Sequence, residues 1–206
     1  MKKMQLVLGL VATLGLGTAY VVPVQAADTA AVTAGNSVGE FTVDAGQLEL
    51  TSVPDFEFAN TDVKTVMTTN PTLAYTGAGV VNPATATSGT IVGAKTAELT
   101  VSDYRGATTP DWNVQAAISP FKNGSTSVNG AITYSASNGI DAKTIGTSAA
   151  EVWDNTSAKT GGIGAATATT ADTSTLALDQ ASSVNAGTYD ATITWTLSNT
   201  ASTTTP

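Results

Sequence analysis

The segment "YDATITWTLSNT", residues 189–200, decides how the chain reads. Tyr189, Ala191, Ile193, Trp195 and Leu197 take the odd positions, with Asp190, Thr192, Thr194, Thr196 and Ser198 between them. Successive side chains of a strand point to opposite faces, so the segment carries one apolar face and one hydroxyl-lined face. It predicts a long, half-buried β-strand with Trp195 on the inner side.

The same alternation recurs upstream. "LELTSVPDFEF" holds two such pieces, Leu48/Leu50 and Phe56/Phe58, broken at Pro54. "AELTVSD" sets Ala97, Leu99 and Val101 against Glu98, Thr100 and Ser102, and "WNVQAAIS" sets Trp112, Val114, Ala116 and Ile118 against polar or small neighbours. "VNGAITY" places Val128, Ile132 and Tyr134 on one face, and "STLALD" adds a short strand before the last one. From Ser135 to Thr173 the chain is dominated by Gly, Ala, Ser and Thr, which reads as long loops around a short "AAEVW" strand. The expected fold is an all-β antiparallel sandwich of roughly eight strands with long loops rich in Gly, Ala, Ser and Thr.

Composition fits this. The chain has 206 residues, of which 42% are hydrophobic and only 12% charged. β-branched residues are abundant and helix-favouring charged residues scarce. Histidine and cysteine are both absent, which removes imidazole and thiolate metal sites, cysteine nucleophiles and every triad with a histidine base. No metal or cofactor is expected.

The N-terminus reads as a targeting segment. "MKKM" supplies positive charge, Leu6 to Leu16 form an apolar run, and "VPVQAAD" offers a cleavage site after Ala26. The run is shorter than the ~20 residues of a spanning helix. The expected organisation is a signal peptide over 1–26, a polar spacer over 27–37 and one domain over 38–206. Loss of Lys2 and Lys3 with the leader takes the formal charge from −8 to −10. So acidic a chain, with no basic cluster, is unsuited to nucleic acid or anionic lipid.

Taken together, these motifs resemble the WxL-domain family, cell-surface proteins of low-GC Gram-positive bacteria. Tyr189, Thr194, Trp195 and Leu197 match that family's distal motif, although Ile193 replaces its Leu and Ala201 its usual Pro. Trp112 with Val114 stands for the proximal motif, preceded by "LTVSDYRGATTPDW", similar to the family's strand and Asp-x-Arg-Gly turn. "GQLELTSVPDFEF" and "AEVWDNTSAKTGGIGAATATT" also resemble family segments. The resemblance implies a secreted protein held non-covalently on the cell wall, with peptidoglycan as ligand. It also implies company: co-encoded membrane-anchored and wall-anchored surface proteins. The absence of an LPxTG sorting signal fits retention by binding.

Trp112 and Trp195 share parity with aliphatic neighbours and read as core, with sugar stacking as the alternative. Trp153, beside a polar Gly-rich loop, reads as exposed and as a candidate ligand contact, so that its truncation is expected to leave stability nearly unchanged. Tyr104 and Arg105 lie in the turn before Trp112 as further candidate contacts; Arg105 also suits a structural pairing with Asp103 or Asp111. Catalysis without His or Cys would need a carboxylate pair, and Asp44/Glu49 and Asp55/Glu57 are the nearest. Alternating acids on a wet strand face explain them without chemistry, so no enzyme is expected. A protein ligand taken on a free sheet edge is the other reading.

Overall fold

A computed structural model describes residues 35–77, 96–106, 111–158 and 164–199. The chain divides into two units, Met1–Thr42 and Val43–Pro206. The expected signal peptide and all but the last three residues of the expected spacer lie outside the described residues, as does Ala201. Of the first unit, residues 35–42 are exposed coil.

The second unit is all-β apart from one six-residue helix, α1 (Val63–Thr68). Asp62 caps it, accepting hydrogen bonds from the Thr65 amide at 2.9 Å and the Thr65 hydroxyl at 2.7 Å. Thirteen strands run among the described residues. They are β1 (Leu48–Ser52), β2 (Glu57–Phe58), β3 (Thr72–Gly77), β4 (Glu98–Asp103), β5 (Asn113–Ile118), β6 (Phe121–Asn123), β7 (Thr126–Val128), β8 (Gly130–Ala136), β9 (Ile140–Ile145), β10 (Ala150–Asp154), β11 (Gly164–Thr169), β12 (Thr175–Leu178) and β13 (Ile193–Ser198). Every pairing is antiparallel. The strands form a five-stranded sheet β2-β3-β12-β8-β9, two three-stranded sheets β1-β4-β11 and β10-β5-β13, and a small β6-β7 hairpin. Tyr134 of β8 meets Trp195 of β13 edge to face, with centroids 5.8 Å apart, so these two sheets share a sandwich-like core.

The alternation read from the sequence governs the inner strands. On β4, Leu99, Val101 and Asp103 are buried while Glu98, Thr100 and Ser102 are not. On β5, Val114, Ala116 and Ile118 are buried beside Trp112. Ser174, fully buried, clamps the approach to β12 onto β8: its hydroxyl donates to the Ser135 carbonyl at 3.0 Å and accepts from the Ser135 amide at 3.1 Å.

The structure corrects the expectation of long loops from Ser135 to Thr173. β10 answers to the expected "AAEVW" strand, but the region also contains the end of β8 and all of β9 and β11. β8 and β9 join through Ser137, Asn138 and Gly139, where Asn138 (φ 58°) and Gly139 (φ 90°) take the left-handed conformation a tight hairpin needs. In β11, "GAATAT", Ala166 and Ala168 point inward and Thr167 and Thr169 outward. Its small residues suit a strand packed closely along β4.

Two tryptophan expectations also change. Trp153 is 1% exposed. It packs edge to face on Trp112, with centroids 5.1 Å apart and planes at 73°, and its indole N–H donates to the Asn138 carbonyl at 2.9 Å. A β-bulge between Glu151 and Trp153 breaks the parity of β10, so Val152 and Trp153 both turn inward. Trp195, expected to be core, is only half-buried, because β13 is the edge strand of its sheet. Trp153→Ala is therefore expected to cost ~3–5 kcal/mol of stability, read as a lowered midpoint in urea unfolding. Acrylamide should quench the indole emission of Trp195 and leave that of Trp112 and Trp153 nearly untouched.

Candidate ligand groove

The turn after β4 is built around one ion pair. Asp103 ends β4 on its inward parity and is almost fully buried. Arg105 folds back onto it: its amide and Nε donate to Oδ1 at 3.1 and 2.9 Å, and Nη2 donates to Oδ2 at 2.8 Å. Nη2 also donates to the Asp111 carbonyl at 3.2 Å, closing the turn toward Trp112. Both partners expected for Arg105 are thus engaged, Asp103 through its carboxylate and Asp111 through its backbone. The hydrogen bonds from the Arg105 side chain hold the Asp103 carboxyl below its usual range, against the opposing effect of burial. The same bonds raise Arg105.

Beside this pair lies a shallow, open groove lined by Leu48, Arg105, Leu197, Ser198 and Asn199. Leu48 opens β1, and Leu197 and Ser198 close β13. The side chain of Tyr104 is 61% exposed on the adjoining turn. Gly46 lets the backbones close there: its amide donates to the Tyr104 carbonyl at 2.8 Å, and a Cβ at Gly46 would stand 2.7 Å from that of Tyr104.

The structure sorts the expected site residues into three groups. Arg105 and Leu197 line the groove and Tyr104 adjoins it. Trp112, Val114 and Trp153 are sealed in the core and offer no surface to a ligand, which overturns the exposure expected of Trp153 and removes it as a candidate contact. Thr194 lies exposed on the outer face of β13, and Tyr189 anchors the preceding loop, its hydroxyl accepting from the Asn185 amide at 3.0 Å and donating to the Asn185 carbonyl at 3.1 Å. Leu48, Ser198 and Asn199 carry no residue-type signal that marks a site; only the meeting of two strand ends assembles them.

Chemically the groove offers a guanidinium, a hydroxyl, an amide and two leucines. No carboxylate lines it among the described residues, so it can hold a ligand by hydrogen bonds and apolar contact but does not present an acid–base pair. Compared with known proteins, the chain matches no family model, no curated protein and no solved structure.

The Asp103 carboxylate is bound more tightly as an anion in the folded chain than in the unfolded one. Its contribution is complete above the unfolded pKa, near 4, and fades as pH falls through the depressed folded value. Asp103→Asn should therefore destabilise the fold at pH 7, by about 1.5–3 kcal/mol for hydrogen bonds to a charged group. The gap between the variant and the parent should narrow as urea midpoints are compared at pH values falling progressively below the unfolded pKa.

Proposed function

We propose that this chain is a non-catalytic cell-surface protein that attaches to the Gram-positive wall without a covalent link, with peptidoglycan as its ligand. One observation carries the reading. The Asp-Tyr-Arg turn and the distal Trp-x-Leu motif, far apart in sequence and both part of the resemblance to WxL domains, supply Arg105 and Leu197 to one groove beside the exposed Tyr104. A phenol ring, a guanidinium, an amide and a hydroxyl are the groups that stack on and hydrogen-bond to amino sugars and their peptide stems.

The test is a pull-down with purified, protein-stripped sacculi. Tyr104→Ala should cut the bound fraction without moving the melting temperature, because the side chain is exposed. Unchanged binding by that variant would remove the groove from the contact surface, and no binding by the parent would end the reading.

Charge makes a second expectation. A wall bearing teichoic acids is polyanionic, and a chain of formal charge −8, or −10 without its leader, meets it against repulsion. Retention should strengthen as pH falls from 7 toward 5, approaching the sequence pI of about 4.2. Added salt at pH 7 should help slightly or have no effect, since screening weakens repulsion between exposed charges. Elution by ~0.5 M salt would mean ion pairing drives attachment instead.

A protein ligand is the second reading, favoured by the open edge of β13. Co-encoded membrane-anchored and wall-anchored surface proteins are the partners it would serve. Binding to such a partner with none to stripped sacculi would select it.

A further inference from the structure

The groove beside the Asp103–Arg105 turn narrows the kind of ligand it can take, because most of its guanidinium is already engaged. A guanidinium carries five N–H donors, one on Nε and two on each terminal nitrogen. Nε donates to Oδ1 of Asp103, and Nη2 donates both to Oδ2 of Asp103 and to the Asp111 carbonyl. Nη1 keeps both of its donors, with no acceptor among the described residues. Arg105 lines the groove with 21% of its side chain exposed, so Nη1 is the corner it can offer there.

The charge is engaged as well. Asp103 holds the guanidinium at 2.8 Å and is itself 3% exposed, so the two present no net charge to the groove. The described lysines, Lys64, Lys122 and Lys143, stand on α1, β6 and β9 and do not line it. A phosphate or a carboxylate arriving at Arg105 would meet a cation already paired with another carboxylate, on a chain of formal charge −8. Teichoic acid and the ionised ends of stem peptides are poorly matched to such a site.

What remains suits a neutral group with an acceptor, a donor and an apolar end. Nη1 donates. The Asn199 amide and the Ser198 hydroxyl each donate and accept, and neither side chain makes a hydrogen bond among the described residues. Leu48 and Leu197 supply an apolar patch between these polar groups, and the Tyr104 ring lies exposed on the adjoining turn.

We infer that the groove recognises the acetamido group of an N-acetylated hexosamine. The acetamido carbonyl accepts from Nη1 of Arg105, its N–H donates to Asn199 or Ser198, its methyl rests on Leu48 and Leu197, and the pyranose extends toward Tyr104. The inference rests on the groove being the wall-contact surface, and it narrows that surface's ligand to the glycan strand.

Two neutral oligosaccharides test it. Chitotetraose carries an acetamido group on every ring, and cellotetraose has the same backbone with a hydroxyl in its place. Chitotetraose titrated into the isotope-labelled chain should shift the side-chain N–H resonances of Asn199 and Arg105, and cellotetraose should not. Its affinity should be the same with and without ~0.5 M salt, because no ion pair forms. Arg105 is left intact, since removing it would strand the buried Asp103 carboxylate. Asn199→Ala, at an exposed position, should weaken chitotetraose binding by about fivefold at an unchanged melting temperature, the contribution of one hydrogen bond between neutral groups. Equal responses to the two sugars, no response to either, or an Asn199→Ala variant of unchanged affinity overturns the inference. If the parent is nonetheless retained on stripped sacculi, wall binding stands and its ligand is something other than the acetamido group. Selective binding of chitotetraose without retention on sacculi supports the inference and removes the wall instead.

Discussion

The buried pair Trp112 and Trp153 locks two neighbouring strands of one sheet and ties them to the sheet beside it. Trp112 stands at the entry to β5 and Trp153 near the end of β10, and their edge-to-face geometry adds to the large apolar area each indole buries. The contact reaches beyond its own sheet. The Trp153 N–H ends on the Asn138 carbonyl in the β8–β9 turn, and the Trp112 carbonyl accepts from the Asn155 amide at 3.1 Å. One buried pair thus joins the β10-β5-β13 sheet to a corner of the five-stranded sheet. It also seats the chain that arrives from the Asp103–Arg105 turn, so the groove takes its position from the core.

Where a strand is regular and carries large apolar residues, the sequence already describes it. β1, β4, β5 and β13 follow from parity alone, and so does the all-β antiparallel class. The failures have two physical origins. In β11, strand and loop share one composition, and only pairing with β4, more than sixty residues upstream, gives Ala166 and Ala168 their inward side. In β10, one extra residue reverses parity, so Glu151 and Trp153 share an alternation in the sequence but not in space. A bulge leaves little trace in the letters around it.

The groove was partly legible for related reasons. Arg105 stands out as the lone arginine and Leu197 as part of a motif. Leu48 and Asn199 belong to the site only because β1 and β13 end at the same place. The half-burial of Trp195 has the same origin: parity says which side a residue faces, while the order of strands says whether anything lies beyond it. Edge position is a property of topology, and a large side chain on an edge strand keeps part of its surface in water.

The strand order has a bearing on when the fold can form. β12 sits in the middle of the five-stranded sheet, between β3 and β8, and pairs Thr175 with both Ala74 and Thr133. β4 waits in the same way for β11, and β5 for β13. None of these sheets can be completed by the first half of the chain, and the loops to be closed are long, which slows folding at a given stability. A chain emerging from its N-terminus would stay open until most of its length was available, with its apolar strands diluted by Thr, Ser and Gly. The fold assembles late and as a whole.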